Sequence, residues 1–251
     1  MTSVSTLPDV VIWDNPPHLD PRGTVVLLPG RGEDPRLYER FGSRIGADAY
    51  RVRVVADPTR WESDVVEQVK RLRADAGLPR PFVLAGSDAG ALFAVGLAAG
   101  GELEIDALLL AGLPTRPSDL AAVPRSWEDE LGSRTSCSTH RGRLEATGRV
   151  ERGALYTPLP AEWYERADLA AVRVPVLALH GAADPVSPLD QARAAYAAAP
   201  AAELVSLVDG RHDTLNDISH RTSAATVLLF LERLRQGAQA PAIAVREELH
   251  P

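Results

Sequence analysis

A single cysteine, Cys137, stands in a chain of 251 residues, so no disulfide can close within the chain and no cysteine-rich metal centre can be built. Also lacking is any apolar run near the length of a membrane span, and Met1 to Pro8 has neither the basic start nor the apolar centre of a secretory signal. A soluble, cytoplasmic protein with no membrane partner is the expectation. The basic residues form no stripe. They are scattered among 34 acidic ones for a formal charge of −7, which argues against nucleic acid as a partner. There is no internal repeat, and neither a metal nor a cofactor is expected.

What is present is a core. With 45% hydrophobic and 24% charged residues at this length, the chain fits one domain carrying an insertion better than two separate domains. Short β-rich runs at Val10–Trp13 and Thr24–Leu28 are split by Pro- and Gly-rich turns. Pro35–Ala47 places Leu37, Phe41 and Ile45 at helical spacing behind a Gly-rich loop. A strand at Tyr50–Ala56, a helix at Trp61–Ala76, a short apolar strand opening at Phe82 and another at Ile105–Ala111 come next. From Val174 to Leu234 strands and helices alternate again. Such alternation predicts an α/β protein, a doubly wound and mostly parallel sheet with ligands bound beyond the carboxyl ends of its strands. Residues 1–113 and 174–235 form this core. Residues 114–173, rich in Pro, Arg and Glu, read as a helical lid, and 236–251 as a polar tail left without assigned structure.

The stretch with most chemical content is Phe82-Val83-Leu84-Ala85-Gly86-Ser87-Asp88-Ala89-Gly90. An apolar strand enters a turn with Gly two positions either side of Asp88, then a helix. This is the pattern of a nucleophile elbow, whose tight turn needs small neighbours, and the helix aims free N–H groups at its apex. An ordinary loop with Asp88 as an N-cap would read the same way locally. Two later strand ends add a carboxylate, Asp184 in His180-Gly-Ala-Ala-Asp184, and an imidazole, His212 in Asp209-Gly-Arg-His212. A candidate nucleophile, acid and histidine thus each fall just past a strand, the context in which a triad can assemble.

On these residues the chain resembles the α/β-hydrolase fold superfamily over about residues 10 to 235. The resemblance implies a nucleophile at Asp88, an acid at Asp184, a base at His212, and an oxyanion hole from the backbone N–H groups of Arg31 and Ala89. An aspartate at the elbow is similar to the epoxide hydrolase and haloalkane dehalogenase branch. The chain departs from that branch in having Pro29-Gly30-Arg31-Gly32 after the early strand and Ala89 where the branch usually has Trp. Ser87 stays open as the nucleophile, since Ala85 and Ala89 flank it at the same distance.

A carboxylate attacking a saturated carbon makes an ester that water can cleave, whereas attack on an ester makes an anhydride, so Asp88 favours an epoxide or halide. Ala89 removes the usual halide donor, and Tyr156 and Tyr164 are candidate proton donors to an epoxide oxygen. Trp127, Tyr156, Trp163 and Tyr164 are expected to line or cover the substrate pocket. The leading expectation is therefore a small-molecule epoxide hydrolase. A hydrolase of esters, lactones or thioesters is the alternative, with Asp88 as base or Ser87 as nucleophile. A binding protein that keeps the fold without turnover is the third reading.

Overall fold

The structure, a computed structural model, describes residues 7–115, 126–146 and 148–245. The stretch 116–125 of the expected lid and the last residues of the tail lie outside the described residues. Seven strands form one sheet in the order β1-β3-β2-β4-β5-β6-β7. They are β1 (Val11–Trp13), β2 (Gly23–Leu28), β3 (Tyr50–Val54), β4 (Phe82–Ser87), β5 (Ala107–Ala111), β6 (Val176–Gly181) and β7 (Ala202–Leu207). Only β1 runs antiparallel, against β3. The expected α/β class and mostly parallel sheet are what the structure shows.

Alternation along buried strands splits the core into two faces. Val26, Leu28, Leu84, Leu108, Leu110 and Val176 pack on one side. Val25, Leu27, Val83, Ala85, Leu109 and Leu177 pack on the other. Helices cover both: α2 (Glu62–Ala74), α3 (Ala89–Ala99) and α7 (Leu189–Tyr196) on the first, α1 (Glu39–Ala47) and α8 (His220–Arg235) on the second. Strand ends move by a residue or two from the expected ones. Pro175 has no N–H for the ladder, so β6 begins at Val176, while its carbonyl still accepts from Leu108 N at 2.9 Å.

Between β5 and β6 the described residues form α4 (Trp127–Arg134), α5 (Ser138–Ala146) and α6 (Ala161–Arg166), with 3-10 turns at Ala154–Tyr156 and Leu169–Ala171. A capping box between Ser126 and Asp129 starts α4. The strand order doubles back between β2 and β4, which pair in parallel. The crevice beyond their carboxyl ends, the favoured ligand position in such sheets, lies between the loop after Leu28 and the turn after Ser87.

Candidate active site

The turn after β4 has a demanding shape. Asp88 holds φ 48° and ψ −121°, a conformation that costs a non-glycine residue about 1–3 kcal/mol. Glycine neighbours are what let it close. A Cβ on Gly90 would sit 2.1 Å from the Leu28 carbonyl oxygen, and one on Gly86 would sit 2.3 Å from that of Gly90, so α3 passes directly against β4 and the end of β2. Asp88 starts α3 without capping it, for its side chain bonds no helix N–H. The carboxylate turns to other partners instead, against the reading of a simple N-cap.

Those partners come from the other strand ends. His212 Nε2 lies 3.1 Å from Asp88 Oδ1 and His212 Nδ1 lies 2.8 Å from Asp184 Oδ2. Asp184 Oδ1 accepts from the backbone of Val186 at 2.8 Å and Ser187 at 3.1 Å, which fixes its plane. Both ring nitrogens face carboxylates, which only accept, so both carry protons and the ring is an imidazolium. Burial pulls His212 down, but Asp184 and then Asp88 outweigh it and hold the ring at about 10. The structure thus brings Asp88, Asp184 and His212 into one hydrogen-bonded chain, all of it buried.

Arg31 contributes more than the backbone N–H expected of it. Its N–H donates to Asp88 Oδ2 at 3.0 Å, its Nε to the same oxygen at 2.8 Å, and its Nη2 to Oδ1 at 2.7 Å. Nη1 donates to the Thr157 carbonyl at 2.8 Å. With 3% of Arg31 and 1% of Asp88 exposed, this is a buried bidentate pair. Burial opposes the charge on Asp88, yet Arg31 and then His212 keep it well below the usual carboxylate range. Ala89 is the first residue of α3, so its N–H is one of the helix donors without an acceptor in the same helix. The Ser87 side chain hydrogen-bonds the Tyr38 hydroxyl.

Behind Arg31 is a second buried ionic cluster. Arg134, 0% exposed, donates to Glu33 Oε1 at 2.8 Å, to Glu130 Oε1 at 3.0 Å and to the Arg31 carbonyl at 3.2 Å. Glu33 also takes the Tyr38 hydroxyl and the Gly30 N–H. The cluster pins the loop that holds Arg31. The histidine loop is fastened to α4 as well: His212 N–H donates to the Ser133 carbonyl at 3.2 Å and Asp213 N–H to that of Arg134 at 2.8 Å. Thr135 Oγ1 and Ser136 N–H donate to Asp217 at 2.8 and 2.7 Å.

The four aromatics expected around the pocket divide. Tyr164 is half-buried and feels both Arg31 and Asp88, with burial the main cause of its raised pKa. The Tyr156 hydroxyl bonds Ser133 Oγ at 2.9 Å, beside the carbonyl that holds His212. The Trp127 ring lies under the Arg152 guanidinium, 5.0 Å from its centroid. The Trp163 ring packs on Phe93 with centroids 4.7 Å apart, and its indole N–H reaches Glu62 at 3.3 Å. There it lines a pocket of about 210 Å³ with Leu92, Phe93 and Gly96. The physical reason is that α3 is apolar all round, so its outer face also needs a cover, and Trp163 supplies it. Among the described residues no group of three or more His, Cys, Asp or Glu could hold a metal, and no helix is long and apolar enough to cross a membrane.

No family model matches the chain, and no curated protein matches it in sequence. Solved structures do resemble it. A monoacylglycerol lipase of Paleococcus ferrophilus superposes with a TM-score of 0.72 at 15% identity, over 90% of this chain and 98% of that one. A thermophilic esterase of Thermogutta terrifontis gives 0.65 at 19%, over 90% and 94%. An enol-lactonase of Burkholderia xenovorans gives 0.63 at 18%, over 89% and 96%. At these identities the likeness is one of fold.

Proposed function

We propose that this chain, which has the α/β-hydrolase fold, is a hydrolase that opens an epoxide on a small organic molecule through a covalent ester on Asp88. One observation carries the reading: His212, backed by Asp184, presents Nε2 to Asp88 Oδ1, while Asp88 Oδ2 rests on the Arg31 N–H. Ser87 has its hydroxyl at Tyr38 instead.

In the first step an Asp88 oxygen forms a bond to carbon as the carbon–oxygen bond of the ring breaks. The electron pair goes to the ring oxygen, on the far side of that carbon from Asp88, and that oxygen takes the proton of the Tyr164 hydroxyl, a group within reach of the charges of Arg31 and Asp88. Esterified Asp88 no longer carries the charge that helped keep His212 protonated, so the imidazolium gives up its proton, the Tyr164 phenolate regains one, and the histidine becomes a base when one is needed. It then draws a proton from water, and the hydroxide adds to the ester carbonyl, whose oxygen sits between the N–H groups of Arg31 and Ala89. Collapse releases the diol and restores the Asp88 carboxylate and the imidazolium. The sum is epoxide plus water to diol. On this reading residues 114–173 are the covering insertion and Tyr164 faces the substrate as its proton donor.

The lipase, esterase and lactonase likenesses favour a second reading, in which Asp88 and His212 activate water directly against an ester or lactone. A His212→Gln variant separates the two. The first step survives in that variant and the second is blocked, so epoxides should leave their whole mass on the peptide carrying Asp88. A label on Ser87, or no label from any epoxide, ester or haloalkane that the wild type turns over, overturns the proposal.

A further inference from the structure

A carboxylate has two in-plane acceptor positions on each oxygen, and at Asp88 all four are filled. Oδ2 holds Arg31 N and Nε, and Oδ1 holds Arg31 Nη2 and His212 Nε2. In this state no lone pair is free to attack carbon. One donor has to leave. The backbone N–H is fixed by the loop that Arg134 pins, and His212 is held from behind by Asp184. The guanidinium, at the end of a flexible stem, is the donor that can go.

A buried guanidinium does not leave its partner without another anion to receive it. The neighbouring carboxylates are already engaged: Glu33 by Arg134 and Tyr38, Asp57 by the Gly32 N–H and Thr59. We infer that the substrate brings the anion itself: it carries a carboxylate, which takes the Arg31 guanidinium from Asp88 and thereby frees the nucleophile. This rests on the proposed covalent ester at Asp88.

Two features narrow the class. The Nε and Nη2 edge of Arg31 already holds a planar pair of oxygens, so a carboxylate replaces like with like. A dianionic phosphate would set a second negative charge beside Asp88, Asp57 and Glu33 in a buried site. And because the guanidinium touches both Asp88 oxygens, a group that replaces them on it lies next to the attacking atom. The reactive carbon is therefore directly bonded to the carboxylate or one carbon removed, which describes a 2,3-epoxy acid. A neutral substrate of the same shape leaves Arg31 unpaired during attack and should react at least about a hundredfold more slowly.

The probes are 2,3-epoxypropanoate and its amide. In the full-length His212→Gln protein, the rate of mass gain on the Asp88 peptide should favour the acid by about a hundredfold or more. In the wild type, unreactive propanoate should inhibit competitively and propanamide should not. Arg31→Gln should bring the two labelling rates within about tenfold of each other, and the propanoate result stands even if that variant does not fold. Equal labelling by acid and amide, or no inhibition by propanoate, overturns the carboxylate inference and leaves Asp88 as nucleophile. Labelling of Asp88 by neither overturns the covalent reading, and the inference with it.

Discussion

Replacing Arg134 by Met keeps the length of the side chain and removes its charge from a place with no water. Arg134 is 0% exposed, and the two carboxylates it bridges, Glu33 and Glu130, are 5% and 1% exposed. Breaking a buried pair by removing one partner costs about 3–5 kcal/mol, and for a domain of this size that is a fall in Tm of roughly 6–20 °C. The loss should depend on pH in a stated direction. Glu33 is already pushed up to about 7 by burial and then by Asp213, with Arg134 pulling it down, so the variant raises it further. A carboxyl with a raised folded pKa favours the fold when protonated. Its contribution is full below the unfolded value and is lost as pH rises through the folded one. The Tm deficit of Arg134→Met should therefore be largest near pH 8.5 and shrink towards pH 5.5, and adding Glu33→Gln should recover part of it at the higher pH. Thermal melts of the wild type, of Arg134→Met and Glu33→Gln alone, and of the double variant at both pH values read this out. A deficit under about 2 °C, or one equal at both pH values, would refute the reasoning.

Gly90→Ala should be far worse than Gly100→Ala at the other end of the same helix. The first pushes a Cβ to 2.1 Å from a backbone oxygen, whereas the second meets nothing closer than 3.4 Å. We expect a loss of about 1–3 kcal/mol or more for Gly90 and a change near zero for Gly100 in chemical denaturation, and equal losses would count against the tight elbow. Asp184→Asn removes the largest influence raising His212, so its ring, now held at about 10, should titrate lower. In the wild type the stability this charge confers is full below about 6.5 and lost as pH rises through about 10. The variant should lose it at lower pH, as read by NMR titration of His212, and an unmoved midpoint would refute the assignment.

The fold was legible in the sequence because its signals are local. Strand runs, the glycines around Asp88, and turn residues after β6 and β7 each act within a few positions. That locality also placed Asp88, Asp184 and His212 where the structure brings them together. The Arg31 clamp was not legible in the same way. Arg31 marked itself as a backbone donor, but its guanidinium finds Asp88 57 residues on, and Arg134 finds Glu33 across 101 residues. No periodicity encodes such pairs. A buried arginine inside a Pro- and Glu-rich segment reads as solvated until the packing is known. The packing of Trp163 was hidden for a related reason: its sequence neighbourhood says only that an aromatic is there, while the apolar outer face of α3 supplies the partner, Phe93.

The fastening of the histidine loop to α4 bears on how such a protein can be recombined. The segment between β5 and β6 is the natural cassette to exchange when a different specificity is wanted, with crossovers placed at the strand ends. Here a graft cut at Leu113 would carry away the carbonyls of Ser133 and Arg134 that seat His212 and Asp213, along with the Thr135 and Ser136 donors on Asp217. Helix α4 of the cassette belongs mechanically to the chassis. A chimera that retains residues through Ser136 and exchanges only the rest of the cassette keeps the histidine in register with the elbow.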